Sequence, residues 1–83
     1  MKEIVLIGAS WCGSCHAMRE WFNSVDIPGV VLQYMDIEEL KDFSVSSVPA
    51  VLFKDSGEII QAVYGAMSKN DLIHKASSIF GGN

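Results

Sequence analysis

The chemistry-bearing residues of this chain are concentrated in one short segment, Trp11-Cys12-Gly13-Ser14-Cys15-His16. Cys12 and Cys15 are its only cysteines. Thiol–disulfide exchange needs a thiolate, a second sulfur within reach and an approachable first sulfur. A helix is expected to begin just after Cys12. Its unpaired N–H groups and dipole would then favour negative charge on that sulfur. Such a placement typically lowers a thiol pKa from about 8.5 into the range of about 3.5–7.5. Cys15 falls one turn later, three residues before Met18 on the apolar stripe of the same helix. Its thiol should be buried and titrate higher. Cys12 is therefore expected to attack a substrate disulfide, and Cys15 to resolve the mixed disulfide. Gly13 would let a partner chain approach, and Trp11 would shield the sulfur and offer an apolar contact. His16 has two readings: an exposed residue of the first turn, or a charge that tunes Cys12.

The same residues admit other chemistry. Cys12-Gly13-Ser14-Cys15-His16 matches the C-x-x-C-H pattern of covalent haem attachment, with a methionine as a second axial ligand. Two thiolates and His16 also make three of the four ligands of a structural zinc site, with the distant His74 as the remaining histidine. An inert buried pair is the plainest alternative. The position of the motif between a strand and a helix favours exchange over all three, and no metal is expected.

Residues 4–7 form a short apolar run suited to a buried strand, followed by a turn-like Gly8-Ala9-Ser10. Met18, Trp21, Phe22 and Val25 recur at helical spacing, giving a helix over about 13–24. Pro28-Gly29 marks a turn, and 30–34 reads as a second strand, parallel to the first. Residues 38–43 suit a short helical turn. Residues 50–54 and 58–64 read as a hairpin around Asp55-Ser56-Gly57, with Gly57 supplying a positive φ. Ser68-Lys69-Asn70-Asp71 resembles a capping box. Beyond it Leu72, Ile73, Ala76, Ile79 and Phe80 line one face of a closing helix, which Gly81 ends. The expected architecture is α/β: a four-stranded mixed sheet in βαβ-ββα order, with helices on both faces, as one domain over residues 1–83.

Size and charge narrow the function. Eighty-three residues bury a thin single core. The six Lys and Arg are scattered and the net charge is −4, which argues against a nucleic-acid partner. No apolar run approaches the roughly 20 residues of a membrane span, and the opening residues show no export signal. A cytoplasmic location is expected. There a lone pair of cysteines three apart is more often catalytic than structural.

Trp11-Cys12-Gly13-Ser14-Cys15 resembles the W-C-G-P-C active site of the thioredoxin family. Residues 43–53, Phe-Ser-Val-Ser-Ser-Val-Pro-Ala-Val-Leu-Phe, resemble the segment leading into that family's cis-proline and third strand. Lys54 to Ile60 is similar to the family hairpin, and Gly65 to Lys69 to the start of its last helix. These matches fall in order along most of the chain.

The resemblance implies a minimal thioredoxin fold with Pro49 as the cis-proline beside the disulfide. It implies that the Val48 backbone pairs with an extended substrate segment and that Gly65 leaves room for it. It also implies an electron carrier with no bound cofactor, acting as a monomer on disulfide-containing proteins such as ribonucleotide reductase. Electrons would come from NADPH through a thioredoxin-reductase-type flavoenzyme. Glutathione is the alternative source, since Ser47-Val48-Pro49 also resembles the glutaredoxin T-V-P. Tyr64-Gly65-Ala66 is closer to thioredoxin at the stretch where glutaredoxins hold glutathione. A redox-inactive interaction module is a remoter reading.

Several departures from the thioredoxin pattern stand out. The chain lacks the N-terminal strand and helix of full-length thioredoxins. Ser14 replaces the central proline of the motif, Leu6 the buried acid, and Glu20 the proline that kinks the active-site helix. Ser14 adds a hydroxyl and an N–H that can hold the Cys12 thiolate. The expected potential is therefore less reducing than thioredoxin's roughly −270 mV, nearer the glutaredoxin range of about −200 to −230 mV.

Overall fold

The computed structural model describes residues 1–40 and 45–81. Seven elements follow in order: β1 (Lys2–Gly8), α1 (Gly13–Phe22), β2 (Val30–Asp36), a 3₁₀ turn (Ile37–Glu39), β3 (Ala50–Asp55), β4 (Glu58–Tyr64) and α2 (Lys69–Ile79). The strands form one sheet in the order β2-β1-β3-β4. β1 pairs parallel with β2, from Lys2 opposite Val30 to Gly8 opposite Asp36. A parallel pair needs a crossover connection, and α1 supplies it. β3 runs antiparallel to both β1 and β4.

β1 is central, so both its faces are covered. Its residues Ile4 to Ile7 are all buried, which explains a continuous apolar run in place of alternation. Ile4 and Leu6 join Val51 and Phe53 on one face, where Met18 and Phe22 of α1 and Leu72 and Ala76 of α2 cover them. Val5 and Ile7 join Ala50 and Leu52 on the other face, under Met35, Ile37, Leu40, Val45 and Val48. Both faces thus carry helical cover, but unequally. The two α-helices share one face, and the 3₁₀ turn and the chain around it roof the other.

Local signals set the element ends. The β3–β4 connection is a two-residue turn in which Ser56 (φ 56°) and Gly57 (φ 85°) are both left-handed. That is the type I′ geometry that matches strand twist. Between Phe53 and Lys54 the register slips by one residue, leaving Ile60 unmatched. The Ser68 hydroxyl accepts the Asp71 N–H and caps α2, and Gly81 (φ 65°) follows its end. Ile73 departs from the expected face. It is 39% exposed, while Leu72 and Ala76 carry the buried stripe with Ile79 and Phe80 partly behind them.

The 3₁₀ turn starts one residue earlier than the expected 38–43 and spans Ile37–Glu39. Asp36 Oδ1 accepts the Glu38 N–H at 2.9 Å, and Glu39 Oε1 accepts the Asp36 N–H at 2.8 Å. This reciprocal pair is a capping box. Residues 41–43 of the expected turn, and Phe43 and Ser44 of the family-like segment, lie outside the described residues.

Candidate active site

The site forms where the buried strand β1 runs out. Ala9 is buried, and its carbonyl accepts the Cys12 N–H at 3.1 Å, bending the chain toward α1. Cys12 has an extended backbone (φ −104°, ψ 109°) and is the N-cap of the helix. Its Sγ accepts the backbone N–H of Cys15 at 3.2 Å. A cysteine thus fills the role that Ser, Thr, Asp or Asn usually takes at a helix start, with sulfur as the acceptor. No acidic residue occupies the first turn of α1 to compete for that positive end.

Cys12 and Cys15 form a disulfide, with Cα atoms 5.3 Å apart. The two sulfurs are not equivalent. Cys12 retains 8% exposure, and Cys15 is fully buried. Both pack with Ala9, and Ile37 and Val48 lie against them. Cys15 is the more enclosed of the two, as the helical spacing predicts.

The surrounding residues divide by position. Trp11 is 73% exposed beside the disulfide. A Cβ on Gly13 would meet nothing within 4 Å, so the approach over that residue is open. Ser14 Oγ lies 3.5 Å from Cys12 Sγ. The His16 ring donates from Nε2 to the Ser10 carbonyl at 2.9 Å, tying α1 to the turn before the motif. His74 is exposed on α2, and among the described residues no group of three or more His, Cys, Asp and Glu converges to hold a metal.

Across the disulfide, the Val48–Pro49 peptide bond is cis. The Pro49 carbonyl accepts the Gly65 N–H at 2.9 Å, which joins the loop before β3 to the end of β4. Gly65 sits at φ 101°, where a side chain is strained, and the space beside its Cα is empty. The structure therefore gathers Trp11, Cys12, Gly13, Ser14 and Val48 about the sulfurs, with Pro49 and Gly65 hydrogen-bonded alongside.

The Thioredoxin family model matches residues 2–78. The chain belongs to the thioredoxin family. It is 32% identical over 73 residues to Thioredoxin H1 of Arabidopsis thaliana, covering 78% of this chain and 64% of that protein. It is 33% identical over 72 residues to Thioredoxin of Chlamydia trachomatis, covering 78% and 70%. The structure of a mutant thioredoxin from Halobacterium salinarum superposes with a TM-score of 0.82 at 19% identity, covering 94% of this chain and 74% of that one. That likeness shows the shared fold. The chain spans just under two thirds of the plant thioredoxin's length.

Sequence reasoning missed two thioredoxin-site neighbours. Gly8 reads as a turn glycine, but it closes β1, is buried, and leaves no room for a Cβ, which would collide with the Tyr34 hydroxyl and crowd Cys15. Ile37 reads as a residue before a helical turn, but it packs on both the disulfide and the smaller core. The D-x-x-E spacing of Asp36 and Glu39 was the signal that could have placed Ile37 inside a capped turn.

Proposed function

We propose that this chain is a thiol–disulfide oxidoreductase that reduces disulfides in other proteins. The observation that carries the reading is a Cys12–Cys15 disulfide whose more exposed sulfur caps a helix N-terminus. In the reduced protein, the Cys15 N–H and the α1 dipole stabilise the Cys12 thiolate. That thiolate attacks one sulfur of the substrate disulfide and expels the other as a thiolate. Cys15 then loses its proton and attacks Cys12, which re-forms the intramolecular bond and releases the reduced substrate.

The substrate lies across the open side of the motif. The exposed Trp11, the unobstructed Gly13 and the empty space at Gly65 support an extended segment running past Val48 and Pro49. The chain carries electrons through its own two sulfurs and needs no bound cofactor. Thioredoxin-family membership supports a flavin reductase fed by NADPH as the electron source over glutathione. Action as a monomer in the cytoplasm, with ribonucleotide reductase among its substrates, completes the reading. Among the described residues no helix is long and apolar enough to cross a membrane.

The test is insulin disulfide reduction with two recharging systems: NADPH with thioredoxin reductase, and NADPH with glutathione and its reductase. Turnover is expected with the first. Turnover with the second alone would replace the proposed electron source with glutathione. No turnover in either, with both thiols shown to be reduced, would overturn the reductase reading.

A further inference from the structure

Resting on that reading, the resolving step poses a proton-transfer problem. Cys15 must lose a proton before it can attack, yet it is fully buried, and no polar or charged residue among the described residues is buried with it. The surroundings of Gly8 show where such a proton can go. A Cβ built on Gly8 would stand 3.0 Å from Cys15 Cβ and would collide with the Tyr34 hydroxyl. The Tyr34 hydroxyl therefore takes up the space that a side chain at residue 8 would fill, next to the Cys15 side chain. The Cys15 sulfur is one bond from that Cβ.

Tyr34 also reaches the outside. It is partly buried, and it lines a cleft of about 600 Å³ with Ser10, His16, Arg19, Asp36 and Glu39. The Arg19 guanidinium lies 4.2 Å from the centre of the tyrosine ring and fixes the ring against α1. One tyrosine thus has its hydroxyl near the buried Cys15 side chain and also lines an open cleft. A hydroxyl both accepts and donates a hydrogen bond, as a relay requires.

We propose that Tyr34 relays the Cys15 proton to solvent during resolution of the mixed disulfide. The thiol proton passes to Tyr34 Oη as the tyrosine's own proton passes to water in the cleft. The Cys15 thiolate then attacks Cys12 Sγ, forming the Cys12–Cys15 bond and breaking the bond to the substrate sulfur. The substrate leaves as a thiolate. The tyrosine ends neutral, and one proton has moved from the protein interior to water.

The test is the reaction of the reduced protein with 5,5′-dithiobis(2-nitrobenzoate), followed by stopped flow. Attack by Cys12 releases the first aromatic thiolate and resolution by Cys15 the second. Tyr34→Phe keeps the ring and its stacking on Arg19 and removes only the hydroxyl. The variant's first phase should match wild type. Its second phase should slow at least about tenfold near pH 7, below the 10²–10⁴ that a positioned general base contributes directly.

The deficit should narrow as pH rises, because more abundant hydroxide takes over removal of the thiol proton. The charged groups facing this cleft are His16 and Arg19 of α1, Asp36 of β2, and Glu38 and Glu39 of the 3₁₀ turn. All are unchanged in the variant, so the ratio of wild-type to variant rates at each pH isolates the hydroxyl. An unaltered second phase overturns the relay. So does a slowing that is the same at every pH, because that reports altered packing. A wild-type protein that shows no second phase removes the exchange reading itself.

Discussion

The backbone N–H of Cys15 donates to the sulfur of Cys12 across 3.2 Å, so the two cysteines of the motif are joined by a hydrogen bond as well as by the disulfide. The donor belongs to the backbone, and no side-chain substitution at Cys15 removes it. Cys15→Ser should therefore keep a reactive Cys12, form a mixed disulfide with a model disulfide, and stop there. Cys12→Ser should form no adduct, because Cys15 is enclosed. Intact-mass spectrometry after incubation with the model disulfide reads both outcomes. An adduct on Cys12→Ser at a rate comparable to wild type would reverse the assigned order.

Ser14 Oγ lies 3.5 Å from Cys12 Sγ, within reach of a sulfur hydrogen bond. A hydrogen bond to a charged group is worth about 1.5–3 kcal/mol, and 1.4 kcal/mol corresponds to about 30 mV for a two-electron couple. The bond is stronger to the thiolate, so it stabilises the reduced form and makes the couple more oxidising. Ser14→Ala should therefore shift the potential to more negative values by about 30–60 mV. Equilibration of both proteins with glutathione buffers measures the difference. A shift to less negative values would show that the hydroxyl favours the disulfide.

Phe22 ties the active-site helix to the sheet. It is fully enclosed with Ile4, Leu6, Val51 and Phe53. Phe22→Ala removes that anchor and leaves a cavity, at a cost of about 3–5 kcal/mol. A small domain sits toward the low end of the usual range of about 5–15 kcal/mol, so this loss is most of its stability. The variant should show a urea midpoint close to zero, or no folded baseline at all, by far-UV circular dichroism. A midpoint within experimental error of wild type would mean that α1 is held by other contacts.

The chain between β3 and β4 offers a gain. Ser56 holds φ 56° without the local side-chain support that Asn gives itself in a left-handed conformation. Ser56→Asn supplies the residue that type I′ turns favour at that position. It should raise stability by about 0.5–1 kcal/mol, as turn and surface optimisations commonly do. Paired denaturation curves would detect it. A loss of stability would mean that the contact of Ser56 Oγ with Asp55, 3.3 Å away, outweighs the backbone preference.

Those predictions rest on features that differed in how openly the sequence carried them. The dithiol, the buried β1 run, the hairpin at Ser56-Gly57 and the cap at Ser68 were legible because each depends on neighbours in sequence. Ile73 was misread because apolar character alone does not say where a helix face ends; α2 buries only a narrow stripe. The crowding at Gly8 was invisible for a different reason. It depends on Tyr34, 26 positions along the chain, reaching a point that only the β1–β2 register defines. The unequal covering of the two sheet faces likewise follows from tertiary packing and from no local pattern.

Ile37 and Val48 each touch two things at once: the small aliphatic core under β1 and β3, and the sulfur pair. The loop proposed to meet an incoming substrate is therefore the underside of a hydrophobic roof. Its firmness depends on how well that roof is seated, on Met35 and Leu40 as much as on Val48. Conservative aliphatic exchanges there, which leave every sulfur neighbour unchanged, would alter how steadily the loop is presented to the dithiol. Two variants with identical active-site motifs can then differ in turnover through the fit of a few methyl groups beneath the sheet.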